Sequence, residues 1–325
     1  MGFRDSNSKQ IGGKFLVYGD TSSGKSFFTL TFPKLASVDS EAGLAHYEGR
    51  DVVINNKKYN NLVIVDNTAD LEDLEDSLDD LLDGKYDGKI ESFAVDSETK
   101  FYNTMQVGAM EVEERRARKK GEDVDDQTVS QRQWGRIKLI NMKLQQAKID
   151  LSTKGVHVVS VAQGMDLRDK AGKNVIGEKP DMHKSVPFDY DTVLRFYKEK
   201  DKTTGKIKFF AEVEKDRTEV TNIGDIFENC TFDVWKDYYN KKSKLDKMVT
   251  NYTKDLKTST EGIMTDADKA DELVKEFKEN LKKVAPESQS LVNSKIKELE
   301  LSVKNLNISD TNKLQQLVNY TKSLV

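Results

Sequence analysis

Gly19, Gly24, Lys25 and Ser26 stand at the spacing G-x-x-x-x-G-K-S, directly after the apolar run Lys14-Phe-Leu-Val-Tyr18. Each residue type answers a chemical need of a nucleoside triphosphate. Glycines let backbone N–H groups turn inward onto phosphate oxygens, the lysine reaches the β- and γ-phosphates, and the hydroxyl holds Mg²⁺. The expected ATP-binding segment is therefore Gly19, Asp20, Thr21, Ser22, Ser23, Gly24, Lys25, Ser26 and Phe27. A second apolar strand, Ile90–Val95, ends in Asp96. A carboxylate at such a strand end sits across from the loop and orients Mg²⁺, so Ser26 and Asp96 are the expected metal ligands.

These groups need a sheet to hold them. Short β-rich runs at Phe15–Tyr18, Ser37–Val38, Leu62–Val65, Phe93–Val95 and Val156–Val161 alternate with helix-like segments. That rhythm predicts an α/β fold with a mostly parallel central sheet and helices on both faces. Thr192–Lys198 and Lys206–Val213, joined by the turn-rich Asp201–Gly205, predict an antiparallel hairpin that extends it. After Lys241 the chain becomes rich in Lys, Glu, Asp, Asn and Leu, with helical periodicity in Asp271–Val284 and Leu291–Leu306 and a Pro286 start. Residues 241–325 read as a helical C-terminal appendage to a core of residues 1–240. The stretch from Gly164 to Val186 has little periodicity and carries Arg168, Lys170, Lys173, Lys179 and Lys184 against Asp166, Asp169, Glu178 and Asp181. A connection of that length is more than a connector. The cluster Arg115–Lys120 reads equally well as a phosphate contact or as a solvated helix end. His46, His157 and His183 are isolated and read as core or loop residues; Trp134 and Trp235 read as packing anchors.

The segment Leu35-Ala-Ser-Val-Asp39-Ser-Glu41-Ala-Gly-Leu44 brings another acid to a strand end, and Gly155–Gln163 is an apolar strand ending in an amide. Together with Ser22-Ser23-Gly24-Lys25 and Val95-Asp96-Ser97, these segments resemble the RecA-like recombinase family over roughly residues 11 to 235. The wording Lys215-Asp-Arg217-Thr, then Ile223-Gly224 and Glu228-Asn229, is most similar to compact phage ATPases with a bare RecA core, the single-strand recombinases grouped with Sak-type annealing proteins. The resemblance implies a RecA-like P-loop ATPase. In it Lys25 grips phosphate, Glu41 positions the attacking water, and Gln163 senses the γ-phosphate and signals to a DNA-binding loop that follows, here the five cations from Arg168 to Lys184. It implies further that Lys215 and Arg217 enter a neighbouring subunit's ATP site; their i, i+2 spacing on a strand puts both on one side. Single-stranded DNA, a homo-oligomer with ATP at the interface, and a single-strand-binding protein are the implied partners. A helicase-type or loader motor and a nucleotide-gated interaction module are the alternatives. The chain departs from RecA in its short N-terminal arm, in the segment from Ala45 to Asn61, and in its C-terminal helices. Phe3 is a candidate contact for a neighbour.

Composition sets outer bounds. Cys230 is the single cysteine, so no intramolecular disulfide forms, and the spacing of Cys and His offers no zinc site. No apolar run approaches the roughly 20 residues of a membrane span. A cytoplasmic chain is expected, in host cytoplasm if phage-encoded. A net charge of -4 argues against a broad positive field, so any nucleic-acid contact must be local or ligand-switched.

Overall fold

The computed structural model describes residues 6–246, 248, 250–302, 306 and 310–324, the side chains of 260–267 and 287 excepted. Phe3, and residues 303–305 of the expected helix from Leu291 to Leu306, lie outside the described residues. Two compact units divide the chain, Met1–Thr253 and Lys254–Val325.

In the first unit, β1 (Lys14–Gly19) leads through the loop into the short α1 (Lys25–Thr29), then β2 (Leu35–Asp39). Next come β3 (Val52–Ile54), β4 (Lys57–Tyr59), β5 (Leu62–Asp66), α2 (Leu71–Leu82), β6 (Ser92–Asp96), α3 (Glu98–Lys120) and α4 (Gln131–Thr153). Then follow β7 (His157–Arg168), β8 (Val175–Pro180), β9 (Thr192–Lys200), β10 (Ile207–Asp216), β11 (Ile226–Glu228) and α5 (Asp233–Lys242). The main sheet runs β11-β10-β9-β1-β7-β6-β2-β5. From β9 to β5 its neighbours are parallel, and β10 is antiparallel to both β9 and β11. The mixed α/β class and the antiparallel extension expected from the sequence are both present.

Period-two alternation divides the strand side chains between the faces of the sheet, and two of the resulting cores are the larger. Phe15 and Val17 of β1, with Val159 and Val161 of β7, join Phe28 of α1 and Trp235 and Tyr239 of α5. Phe93 and Val95 of β6, with Val158 of β7, join Leu74, Phe101 and Leu144 from α2, α3 and α4. Phe15 is the hub of the first core, with Phe32 and Trp235 set edge-on at 5.1 and 5.4 Å between ring centroids. Local signals set the helix ends. Asp70 caps α2 by accepting from Glu72 N at 2.8 Å, and Gly121, at φ 73°, closes α3.

Three places take a form that the sequence pattern does not announce. Gly164–Val186 is not simply aperiodic: β7 continues past the sheet to Arg168 and pairs antiparallel with β8. The segment from Ala45 to Asn61 folds into the β3–β4 hairpin, turning through Asn55 and Asn56, both at positive φ. Trp235 is fully buried as expected, but Trp134 on α4 is 41% exposed.

The second unit holds its own core. Ala270, Val274 and Phe277 of α6 (Tyr252–Leu281) pack with Val292 and Ile296 of α7 (Gln289–Glu298) and with Leu314, Leu317 and Val318 of α8 (Thr311–Lys322). Asp310 caps α8, accepting from Asn312 N at 2.8 Å. No helix among the described residues is long and apolar enough to cross a membrane.

Candidate active site

Register alone gathers the expected residues at the carboxyl edge of the sheet. Gly19 at the end of β1 stands opposite Gln163 of β7, and Asp39 at the end of β2 stands opposite Asp96 at the end of β6. Ligands of parallel α/β sheets bind at this edge. The loop after β1 needs its glycines: Gly19 and Gly24 hold φ values of 134° and 102°, and a Cβ on Gly19 would stand 1.9 Å from Phe196 O.

Lys25 folds over the loop and donates to Gly19 O at 2.8 Å and Asp20 O at 2.5 Å. Burial pulls its pKa down, while Asp96, Asp20, Glu178 and Glu41 act in the opposite direction. Ser26 Oγ donates to Asp96 Oδ2 at 2.8 Å, so hydroxyl and carboxylate lie side by side as expected. Burial pushes the Asp96 carboxyl up to about 6; the Ser26 hydrogen bond opposes this, and Asp39 and Glu41 add to it. A buried acid that neighbouring acids repel is the donor set a divalent cation relieves, and Mg²⁺ characteristically takes only one or two protein oxygens. The residues fit the metal.

Glu41 is exposed at the rim, yet its carboxylate is fixed. Its Oε1 accepts from Ser97 Oγ at 3.1 Å and from Gln163 Nε2 at 3.2 Å. Two partners were not foreseen. Asp39 accepts from Glu41 N at 3.1 Å and Leu44 N at 2.7 Å, locking the turn that presents Glu41. Ser40 Oγ accepts from Ser97 N at 2.9 Å and ties that turn to the end of β6. The acid ending β2, two residues before Glu41, was the available signal for Asp39. Beneath Asp96, Glu98 is buried and ion-paired with Lys148 of α4, and it also accepts from Ser160 Oγ at 2.5 Å. This network holds the first turn of α3 against β7.

Around the loop lies a cavity of about 580 Å³, lined by Ser22–Phe27 on one side and by Tyr47, Ile54, Phe196 and Phe209 on the other. None of these walls beyond the loop was expected from sequence.

The remaining expected residues sit apart from this cluster. Lys215 near the end of β10 donates its Nζ to Phe188 O at 3.1 Å, and Arg217, just past that strand, donates Nη2 to the same oxygen at 3.2 Å. Both cations thus lie on one side, against the turn Val186–Asp189 of their own chain. Arg168 ends β7 and pairs with Asp166 at 2.8 Å; Lys170 and Lys173 lie in the β7–β8 turn, Lys179 in β8 and Lys184 in the turn that follows, all exposed. In the other basic cluster Arg115, Arg116 and Arg118 pair with Glu111, Glu113 and Glu114 of the same helix. His157 is buried in the core, where Nδ1 accepts from Gly13 N at 3.0 Å.

Among solved structures, a KaiC-like protein, PH0186, of the hyperthermophilic archaeon Pyrococcus horikoshii OT3 is similar at 14% identity and a TM-score of 0.38, covering 68% of this chain and 86% of that one. The flagellar accessory protein FlaH of Methanocaldococcus jannaschii is similar at 9% identity and a TM-score of 0.38, covering 68% and 85%. No curated protein matches the chain. The profile of AAA_24, an AAA domain, matches residues 11–225, a span that contains the whole cluster from Gly19 to Gln163. The chain belongs to this AAA domain family, with the nucleotide loop of a P-loop ATPase at its centre.

Proposed function

We propose that the chain is a Mg²⁺-dependent ATPase that binds single-stranded DNA and promotes strand annealing or exchange, with ATP between protomers of a homo-oligomer. The observation that carries this reading is the pair of hydrogen bonds meeting on Glu41 Oε1, from Ser97 at the end of the Asp96 strand and from Gln163. Gln163 is the residue at which β7 leaves the sheet and becomes the hairpin bearing Arg168, Lys170, Lys173 and Lys179. An acid at the nucleotide is thereby joined by one hydrogen bond to the base of a cationic hairpin.

The residues divide the work by chemistry. The loop N–H groups and Lys25 bind the β- and γ-phosphates, and Ser26 with Asp96 would hold Mg²⁺, which neutralises phosphate charge when bound. Glu41 spends Oε1 on Ser97 and Gln163 and keeps its second oxygen to orient water in line with the γ-phosphate. Gln163 changes its hydrogen bonding when Glu41 does, and the hairpin moves with it. The hairpin cations and Lys184 take DNA phosphates. Lys215 and Arg217 supply positive charge to the site of a neighbouring protomer.

Hydrolysis of ATP with and without single-stranded DNA tests the reading, with wild type beside Glu41→Gln and Arg217→Ala. Strong stimulation by DNA, lost in each variant and partly restored when the two are mixed, is expected of shared sites. Hydrolysis that no DNA stimulates would sink the recombination reading and favour a nucleotide-gated interaction module. ATP-driven unwinding of a duplex would favour a motor instead.

A further inference from the structure

We infer that the β3–β4 hairpin is the base-recognition element of the nucleotide site, closing a pocket for the nucleobase of the triphosphate that the loop holds. The inference rests on the reading of Gly19–Ser26 as a triphosphate cradle and goes beyond it to the other end of the ligand. The cavity that begins at Ser22–Ser26 continues to the tip of the hairpin, where Val53, Ile54 and Asn55 form its wall. Facing them are Tyr47, Phe27 and Phe209. Three of these apolar side chains are left open to water: Phe27 is 41% exposed, Phe209 37% and Val53 60%. Large apolar groups exposed around a polar cradle are costly unless a flat, apolar ligand covers them, and the base of a nucleotide anchored at the loop is the one such group tethered within reach.

The hairpin is held as a recognition element must be. Its base is part of the core, with Val52 and Tyr59 buried. Its tip is latched from the far side of the cavity. Asn55 Nδ2 donates to Asn229 O at 3.1 Å, and Lys57 Nζ reaches both oxygens of Asp233 at 2.7 and 2.6 Å. The turn at Asn55 and Asn56, with φ of 50° and 61°, leaves no slack between these anchors. The tip is therefore positioned by side chains that touch neither the loop nor the Mg²⁺ donors, so base binding and phosphate binding separate experimentally.

Calorimetric titration of the full chain with Mg-ATP and, separately, with Mg-tripolyphosphate makes that separation. In the double variant Asn55→Gly, Lys57→Ala, which removes both latches and keeps a residue suited to positive φ, ATP affinity should fall about tenfold or more while tripolyphosphate affinity stays within about twofold of wild type. Phe209→Ala, on the opposite wall, should give the same split. Thermal melting, with the midpoint unchanged, confirms that each variant is folded. Unchanged ATP binding in both variants, or equal losses for both ligands, would overturn the inference. Lys25→Ala should weaken both ligands; if it weakens neither, the cradle reading itself fails, a different result from failure of the pocket alone.

Discussion

At the start of β1, Lys14 Nζ lies 2.8 Å from Asp191 Oδ2, and the neighbouring His157 ring accepts from Gly13 N. At the end of the same strand, Lys25 is half-buried among Asp20, Glu41, Asp96 and Glu178. The first end pairs the charge it buries; at the second Arg195 reaches Glu178 at 3.8 Å, and Asp20, Glu41 and Asp96 are left around Lys25. The difference is that between polar groups that hold a fold and polar groups poised for a ligand, and it appears in protonation. Burial holds His157 neutral, with a pKa down to about 4, and costs nothing at neutral pH. Burial and neighbouring acids hold Asp96 up to about 6, so at neutral pH its charge is a net penalty that Ser26 and Lys25 only partly offset.

Removing chemistry from the acidic end should cost activity and spare the fold. Glu41→Gln should lower ATP turnover about a thousandfold, within the 10²–10⁴ range for a general base, and leave the unfolding midpoint in urea unchanged. An equal loss in urea stability would erase the distinction between the ends. Under the other end, Trp235→Ala should destabilise by about 4 kcal/mol in the same titration, since it removes a fully buried ring and the Nε1–H donor to Asp216 Oδ2.

Asp96→Asn sharpens the comparison because it should stabilise. The acid's folded pKa is raised, so its contribution to stability is full below about 3.8 and is lost as pH rises through about 6. Above that, relief of the penalty is worth about 3 kcal/mol at 1.4 kcal/mol per unit. The sign for His157 is opposite: its folded pKa is depressed, so its contribution is present above about 6.5 and is lost as pH falls through about 4. The two slopes offset between pH 4 and 6. Glu178, Asp189 and Glu214, also raised, add their own slopes to both proteins, so the difference Asp96→Asn minus wild type is the quantity that should climb with pH from 4 to 6; paired guanidinium melts across that window decide it. The smallest effect belongs to neither end. Arg115→Ala, which breaks an exposed pair on α3, should change stability by less than about 0.5 kcal/mol.

What could be read from the sequence follows from how local each demand is. Gly19, Gly24, Lys25, Ser26 and Asp96 were legible because phosphate and Mg²⁺ chemistry restricts both residue type and spacing, and apolar runs marked the strands that bear them. Asp39 was less so: its role lies in two backbone N–H groups of its own turn, which no spacing rule announces. The β7–β8 hairpin was half legible: Met165-Asp166-Leu167-Arg168 alternates apolar and charged residues, whereas Val175–Pro180 has no such alternation and owes its form to pairing. The β3–β4 hairpin has a local signature, Ile54-Asn55-Asn56-Lys57, a two-residue turn of the type that tolerates positive φ. The cavity walls could not be read at all, since Tyr47, Ile54 and Phe209 meet only through the tertiary fold.

β5 is the last strand on its side of the sheet, whereas the opposite side ends in the three residues of β11. Leu62-Val-Ile-Val65 combines high β-propensity with no charge, and Val63 on it is 43% exposed. Its outward row of N–H and C=O groups is a ready template for a strand from another molecule, restrained by the adjoining Asn60, Asn61 and Asp66. Pairing with another molecule on heating or during synthesis is therefore expected first at this border. It is there, rather than at the short β11 border, that chains losing the cover of α2 would stack into aggregates.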